Sequence, residues 1–230
     1  MPRLELTTLS LRYSSWSMRP WLALTHAGAS FTTKCVEVPS FEHTTLPERR
    51  ALGSVSGLFP VLRVDGTPIH ETLAIGEYVA EAFPEAGLWP TDRIARAQAR
   101  AIVCEMVSNF SGMRGEMSCA LFARVPAFKP SERAARDITR VREIWTECLE
   151  RSGGPFLFGQ ATLADFFYFP VLTRFHTYGV AVDGRLADYA RALEALPAVR
   201  ALVERARGDP RIAVYDDYVT KLGGDPVAAL

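Results

Sequence analysis

Gly57-Leu58-Phe59-Pro60-Val61-Leu62 and, nine residues on, Glu71-Thr72-Leu73-Ala74-Ile75 are the stretches that decide the fold of this chain. The first ends a loop at a proline and enters a strand. Between them lies Asp65-Gly66, a strong signal for the turn of a two-stranded hairpin. The second places an acidic and a hydroxyl residue where a helix begins. A loop edge before Pro60 and a helix N-terminus at Thr72 would face one side of a small sheet, where they could hold a peptide-like ligand with a free carboxylate.

Composition limits the classes of protein to consider. The chain has 230 residues, which allows one large domain or two small ones, and its hydrophobic content of 48% allows a substantial core. Lys and Arg together number 26, as do Asp and Glu, so no net charge favours nucleic acid or an anionic membrane. The sequence shows no signal-peptide pattern and no apolar run near the roughly 20 residues of a spanning helix. We therefore expect a cytoplasmic protein.

The cysteines and histidines do not show the spacing of a redox or metal site. Cys35, Cys104, Cys119 and Cys148 lie far apart in apolar surroundings, which predicts buried, reduced thiols. The histidines at 26, 43, 70 and 176 lack the spacing of metal ligands, so no metal is predicted.

The first part of the chain predicts an α/β domain. Leu4–Leu9 reads as a strand, followed by a loop over 10–17 and a helix that ends at His26. Because proline is tolerated in the first turn of a helix, Pro20 predicts a helix start near Ser17–Arg19. A second strand over Phe31–Val38, the hairpin and a helix over Thr72–Phe83 follow.

The remainder predicts an all-helical domain. Prolines and a glycine between Pro84 and Pro90 indicate a linker. Apolar residues then recur every three or four positions from Ala97 to Met117, which predicts one long amphipathic face. Thr162-Leu163-Ala164-Asp165 is a capping box with Asp in place of Glu, and it opens a helix that is apolar all round. We therefore expect an α/β domain over 1–84, a linker over 85–91 and an all-helical domain over 92–230.

The loop Tyr13-Ser14-Ser15-Trp16-Ser17-Met18-Arg19 has three hydroxyls where a strand ends and a helix begins. A serine nucleophile needs a general base close by, and the sequence indicates none. A serine can instead donate a hydrogen bond to a bound thiolate, with help from the helix N-terminus. A thiol titrates near pH 8.5, and lowering its pKa by about two units would make most of it thiolate at neutral pH. On loop chemistry alone, such serines are more often helix caps than catalytic groups.

The two opening stretches also allow two interpretations each. An X-Pro bond is usually trans, whereas a cis bond would turn the Phe59 backbone outward to pair with an extended peptide. Glu71 can simply be a favourable charge at a helix N-terminus. Alternatively, it binds a ligand ammonium while Thr72 and its N–H bind a carboxylate.

Four motifs in order resemble the cytosolic glutathione transferases. They are Ser14-Ser15-x-Ser17-x-Arg19, Phe59-Pro60-Val61-Leu62, Glu71-Thr72-Leu73-Ala74-Ile75 and Thr162-Leu163-Ala164-Asp165. The likeness runs from Leu4 to about Ala206, and the serine loop is most similar to the zeta class and related bacterial serine-type members. The resemblance implies a thioredoxin-like N-terminal domain, an all-helical C-terminal domain and a homodimer, with glutathione as co-substrate and no metal.

The resemblance also implies roles for individual residues. It implies a cis Pro60, with Phe59 pairing to the cysteinyl backbone of glutathione while Glu71 and Thr72 hold the γ-glutamyl end. Ser14 matches the thiolate-stabilising hydroxyl of the family, with Ser15 and Ser17 as alternatives. The Thr162/Asp165 box matches a structural motif. The anchor for the glycine carboxylate stays unassigned, with His43, Arg49 and Arg50 as candidates.

Two positions depart from the family's pattern. Leu58 stands where the family often has Lys or Gln, which removes one polar contact to glutathione. Trp16 stands where a zeta-type isomerase usually keeps a cysteine.

For the second substrate, we expect Trp16 and the long helix to supply the pocket. The helix residues that we expect there are Met106, Asn109, Phe110, Met113 and Arg114. Met and Phe at helical spacing also suit a core. Arg114 would favour an anionic co-substrate if it faces the cleft, although a surface role is the alternative.

Three functions stay open from the sequence. The first is a transferase that ionises glutathione and adds it to a small electrophile. The second is a glutathione-dependent isomerase or dehalogenase of the zeta type. The third is a non-catalytic glutathione-binding or interaction protein, which Leu58 mildly favours. Thiol–disulfide exchange is disfavoured, because the serine loop lacks a cysteine.

Overall fold

The structure is a computed structural model that describes residues 2–38 and 44–228. It contains a mixed four-stranded sheet in the order β2-β1-β3-β4. The strands are β1 (Leu4–Thr8), β2 (Phe31–Cys35), β3 (Val61–Val64) and β4 (Thr67–His70). β2 runs parallel to β1, whereas β3 is antiparallel to both of its neighbours. Asp65 and Gly66 have φ of 49° and 87°, as a two-residue hairpin turn requires, so the predicted hairpin is confirmed.

Helices flank the sheet and make up the rest of the chain. They are α1 (Ser15–His26), α2 (Leu46–Ala51), α3 (Thr72–Ala82), α4 (Arg93–Ser108), α5 (Ser111–Glu116), α6 (Glu132–Ser152), α7 (Leu163–Thr177), α8 (Gly184–Ala195), α9 (Pro197–Gly208) and α10 (Ala213–Lys221). A thioredoxin-like unit followed by a helical unit is the predicted fold class, and it is confirmed. Over the described ranges, none of these helices has the length and apolarity needed to cross a membrane.

α1 begins at Ser15, earlier than the sequence predicted. Ser14 is its N-cap and accepts a hydrogen bond from the Ser17 N–H at 3.2 Å. Pro20 therefore lies beyond the first turn, where its missing N–H leaves the carbonyl of Trp16 without a helical donor. The hydroxyl of Thr72 donates to that carbonyl at 3.3 Å and so fixes the start of α3 against the start of α1.

The long helix predicted over Ala97–Met117 is wrong as one continuous element. α4 ends at Ser108, and Phe110 takes a left-handed conformation, φ 60°, before α5 begins. Arg114 donates to the carbonyls of Val107 and Asn109, both at 3.2 Å, which satisfies acceptors at the break. Because of the break, the residues of α5 do not continue the apolar face of α4.

α7 is the buried centre of the helical part, as its apolar sequence predicted. It begins at the predicted capping box, where the carboxylate of Asp165 accepts from the N–H of Thr162 at 2.8 Å and from its hydroxyl at 2.9 Å. The N–H of Leu157 donates to the same carboxylate at 3.1 Å. Burial raises the pKa of Asp165 to about 6, and these hydrogen bonds oppose the rise.

The sheet and the helical part share one core. α1 packs on α3, α7 and α9, and the guanidinium of Arg19 donates to the Phe167 carbonyl on α7 at 3.1 Å. At Gly76 on α3, a Cβ would lie 3.3 Å from the side chain of Leu163. A side chain at Gly76 would therefore separate α3 from α7.

We predict that Asp165→Asn lowers the free energy of unfolding by about 2 kcal/mol or more. The three groups that contact the carboxylate are all donors, and an amide NH2 cannot accept from them. Urea denaturation measures the change. Asp188→Asn on α8 is the matched control, because the Asp188 side chain is 69% exposed. Equal effects of the two substitutions would contradict a structural role for the box.

Candidate functional site

A cavity of about 850 Å³ lies where the start of α1, the loop before β3 and the start of α3 meet α4, α5, α7 and α10. Most of the residues predicted for binding line it. They are Ser14, Ser15, Trp16, Phe59, Pro60, Glu71, Thr72, Asn109 and Arg114. The structure thus brings together residues that lie 100 positions apart in the sequence.

The three serines differ in their surroundings. The Ser14 hydroxyl donates to Ser17 Oγ at 2.9 Å, and Ser17 Oγ also accepts from the Leu9 N–H at 3.2 Å. Ser17 is completely buried and does not line the cavity. Ser15 lines the cavity, and its hydroxyl has no hydrogen-bond partner within residues 2–38 and 44–228. Ser14 and Ser15 are therefore the hydroxyls that a ligand in the cavity can reach.

The loop before β3 offers a backbone edge to the cavity. The Phe59–Pro60 peptide bond is cis. The Phe59 side chain is buried against Val36 and Val38, which anchors the residue. In the described part of the chain, neither the N–H nor the C=O of Phe59 has a hydrogen-bond partner. Both groups are free to pair with an extended peptide.

Leu58 also lines the cavity, and it is 54% exposed. Its carbonyl accepts from the hydroxyl of Ser54 at 2.6 Å, which fixes the backbone at this position. Its side chain supplies apolar surface where a longer polar side chain could reach a ligand.

The start of α3 is held in an unusual conformation. Glu71 is the N-cap and has φ 70°, a value that costs a non-glycine residue of order 1–3 kcal/mol. Its carboxylate is exposed and forms neither a cap nor an ion pair with any residue that the structure describes. The N–H of Thr72 likewise has no acceptor there. The helix start thus presents a carboxylate next to a free donor at the positive end of a helix.

The structure places the residues predicted for the second-substrate pocket in two different surroundings. Trp16, Asn109 and Arg114 line the cavity, but Met106, Phe110 and Met113 do not and are buried in the core. Met106 packs into the hydrophobic core from α4, Phe110 from the break itself and Met113 from α5. Val107, Ser108, Ser111 and Gly115 line the cavity instead.

The sequence reasoning missed further lining residues, among them Tyr13, Cys119, Arg174 and Tyr215. Tyr13 stacks on Tyr215 with ring centroids 4.9 Å apart, and its hydroxyl donates to Asp216 Oδ1 at 2.7 Å. Burial raises the pKa of Tyr13, and its hydrogen bond to Asp216 adds to the rise. This hydroxyl is therefore engaged with a carboxylate and is a poor donor to a second anion.

The structure describes two of the three candidates for the glycine carboxylate anchor. His43 lies outside the described residues. Arg49 donates to the carbonyl of Thr44, and Arg50 donates to the carbonyl of Val55 at 3.3 Å. Neither arginine lines the cavity. The described residues also contain no group of three or more His, Cys, Asp or Glu side chains that could hold a metal ion.

Family models match both parts of the chain. The model "Glutathione S-transferase, N-terminal domain" matches residues 13–82, and "Glutathione S-transferase, C-terminal domain" matches residues 131–205. Together they span more than half of the chain, which therefore belongs to the glutathione S-transferase family.

Individual relatives agree with this assignment. A probable glutathione S-transferase of Caenorhabditis elegans is 30% identical over 164 residues, which are 69% of this chain and 73% of that protein. A maleylacetoacetate isomerase of Rhizobium meliloti is 37% identical over 89 residues, 39% of this chain. The chain thus matches only 41% of the length of that isomerase.

Solved structures support the fold. A glutathione transferase homolog from Burkholderia, solved with bound glutathione, superposes with a TM-score of 0.69 at 22% identity, over 89% of this chain and 98% of its own. A Sulfitobacter homolog with bound glutathione gives a TM-score of 0.68 at 22% identity, over 89% and 99%. At these identities the likeness concerns the fold.

We predict that Tyr13→Phe lowers the free energy of unfolding by about 1–2 kcal/mol, because the buried Asp216 loses a donor. Chemical denaturation measures it. Tyr78→Phe is the matched control, since the Tyr78 hydroxyl has no hydrogen-bond partner within the described ranges. If both variants were as stable as the native chain, the Tyr13 hydroxyl would not be structural.

Proposed function

We propose that the protein is a glutathione transferase that binds glutathione in this cavity, stabilises its thiolate and adds it to a small electrophile. The observation that carries the proposal is the convergence of three ligand-binding features. They are the free backbone edge of Phe59, the free N–H of Thr72 and the Ser14–Ser15 hydroxyls at the start of α1. Glutathione bound in the Burkholderia and Sulfitobacter homologs supports the same ligand here.

The γ-glutamyl and cysteinyl parts of glutathione each have complementary groups in the cavity. The cysteinyl backbone pairs with the N–H and C=O of Phe59, as in an added strand. The α-carboxylate of the γ-glutamyl end accepts from the Thr72 N–H at the positive end of α3, and its ammonium faces the carboxylate of Glu71. The thiol then lies toward Ser14 and Ser15.

Ser14 stabilises the thiolate in this proposal, and Ser17 assists it. The Ser14 hydroxyl now donates to Ser17. Because hydroxyl hydrogens rotate freely, Ser17 can instead donate to Ser14 Oγ while Ser14 turns its hydrogen to the sulfur. A chain of two hydroxyls polarises the terminal donor and strengthens its bond to an anion. The N-terminus of α1 favours the same negative charge.

The reaction needs no covalent bond to the protein. The thiolate sulfur attacks an electrophilic carbon, and a leaving group departs with its electron pair or a double bond accepts the pair. The protein contributes thiolate at neutral pH and the positioning of the two reactants. A change of about two pKa units in the thiol corresponds to about 2.7 kcal/mol of preferential interaction with the anion.

We predict that Ser14→Ala raises the pKa of bound glutathione by about two units and lowers kcat/KM at neutral pH by about 10–100-fold, with little change in its Kd. Ultraviolet titration of the bound thiolate and a chlorodinitrobenzene assay measure the two effects. Ser14→Gly is the companion variant, because glycine still caps a helix at a cost of only a few tenths of a kcal/mol. Loss of rate in both variants identifies the hydroxyl rather than the cap.

The other serines separate the alternatives. Ser15→Ala should leave the rate nearly unchanged, whereas Ser17→Ala should reduce it less than Ser14→Ala. A full rate for Ser14→Ala together with a large loss for Ser15→Ala would move the role to Ser15, whose hydroxyl is free to face the ligand.

A glutathione-dependent isomerase or dehalogenase of the zeta type is the second candidate. The matched maleylacetoacetate isomerases of Rhizobium meliloti and Caenorhabditis elegans, 37% and 40% identical over about 90 residues, favour the isomerase. Trp16 argues against it, because the resemblance calls for a cysteine there. Product analysis with a cis-enedione acid and with a halogenated aromatic distinguishes isomerisation from displacement.

A non-catalytic glutathione-binding or interaction protein is the third candidate, and glutathione titration tests it. No binding at millimolar concentration would remove both enzymatic candidates. Binding without turnover of any electrophile would favour a binding protein. We also propose that the protein is a homodimer, as the family resemblance implies, which sedimentation in solution tests.

We predict that Leu58→Gln lowers the Kd for glutathione about threefold to tenfold, because a polar side chain at this exposed cavity position adds one hydrogen bond. Isothermal titration measures the Kd. Leu58→Ala controls for the loss of the apolar side chain. The same Kd in both variants would show that position 58 does not reach the ligand.

A further inference from the structure

Arg19, Arg114 and Arg174 form a cationic cluster, and the first two lie over the Trp16 ring. The guanidinium carbon of Arg19 lies 4.3 Å from a ring centroid of Trp16, and that of Arg114 lies 4.8 Å from a ring centroid of Trp16. Arg174 is close enough for its charge to act on both. Burial, and then the charges of Arg174 and Arg114, lower the pKa of Arg19 well below its ordinary value. Burial and the charge of Arg174 also lower the pKa of Arg114.

No carboxylate neutralises this cluster within residues 2–38 and 44–228. Arg19 donates to the Phe167 carbonyl, and its Nη1 is buried without a partner. Arg174 donates to the carbonyls of Met117 and Pro170, both at 2.8 Å. Arg114 donates only to the carbonyls of Val107 and Asn109. Backbone carbonyls orient these side chains but leave their net charge uncompensated.

Part of the cluster is open to a ligand. Arg114 and Arg174 line the cavity, whereas Arg19 is 1% exposed and lies behind Trp16. The only carboxylate among the lining residues that the structure describes is Glu71, at the start of α3. In a partly dehydrated cavity, uncompensated guanidinium groups attract an anion more strongly than they would in water.

We propose that this enzyme selects electrophiles that carry a carboxylate, with Arg114 and Arg174 binding the carboxylate and Trp16 packing against the apolar body. The inference rests on the proposed function and adds the chemical class of its second substrate. Guanidinium groups suit a substrate of this class, because they bind carboxylates through two parallel hydrogen bonds. Trp16 offers the ring area against which an aromatic electrophile packs.

A pair of matched substrates tests the proposal. Para-chloro-meta-nitrobenzoate and its methyl ester share the chloride leaving group and differ in charge. Glutathione displaces the chloride in both, so a carbon–sulfur bond forms and chloride leaves. We predict a lower KM for the acid than for the ester in the native enzyme. Arg114→Gln should raise the KM for the acid about tenfold or more and that for the ester less than twofold.

Two controls separate site charge from other effects. Arg136→Gln removes the same charge from α6, where the Arg136 side chain is 73% exposed, and it should change neither KM. Arg114→Lys should restore part of the preference for the acid, since it keeps the charge without the planar fork. The Kd for glutathione should stay the same in Arg114→Gln. A raised Kd would mean that Arg114 binds glutathione itself and would overturn the proposal.

A binding measurement keeps the inference independent of turnover. Meta-nitrobenzoate and its methyl ester lack the leaving group, so calorimetry can measure their binding without reaction. Tighter binding of the acid that is lost in Arg114→Gln supports the proposal even if no electrophile is turned over. Equal affinity for acid and ester overturns it, even if the enzyme conjugates neutral electrophiles and the proposed function holds.

Discussion

The missing N–H of Pro20 is the constraint on which the site depends. It leaves the Trp16 carbonyl without its helical donor, and the hydroxyl of Thr72 takes that place at 3.3 Å. This contact brings the start of α3 to the start of α1. Both helices then direct their positive ends at one cavity, one beside Ser14 and the other at the Thr72 N–H. A ligand with two separated negative groups, such as a thiolate and a carboxylate, matches that arrangement.

The serine loop keeps its shape because the C-terminal part of the chain holds it. The N–H of Leu11 donates to the carboxylate of Asp209 at 2.8 Å, and the hydroxyl of Ser10 donates to the Pro210 carbonyl at 2.8 Å. Tyr13 is held in turn by Asp216 on α10. The hydroxyls at the start of α1 therefore depend on residues about 200 positions away, so the ligand site is a product of the whole fold rather than of its thioredoxin-like part.

The sequence predicted features that local chemistry determines and missed those that packing determines. The Asp65-Gly66 turn and the Thr162/Asp165 box require particular residues at fixed spacing, so both were recognisable. The break before α5 has no such signal, because Phe110 takes a conformation that is unusual for its residue type. Arg174 was missed because it lies in the last turn of an apolar helix, where a basic residue is ordinary.

The charged groups that line the cavity lie in two separate regions. In the proposed binding mode, Glu71 and the free N–H of Thr72 face the γ-glutamyl end of glutathione, which carries both an ammonium and a carboxylate. Arg114 and Arg174 come from α5 and α7 and have no acidic counterpart among the residues described. They therefore add only positive charge to the cavity. Trp16 lies between these regions, because its carbonyl bonds to Thr72 and its ring contacts Arg114. In the proposed mechanism, the tryptophan at this position of the serine loop offers the surface that places the second substrate beside the sulfur.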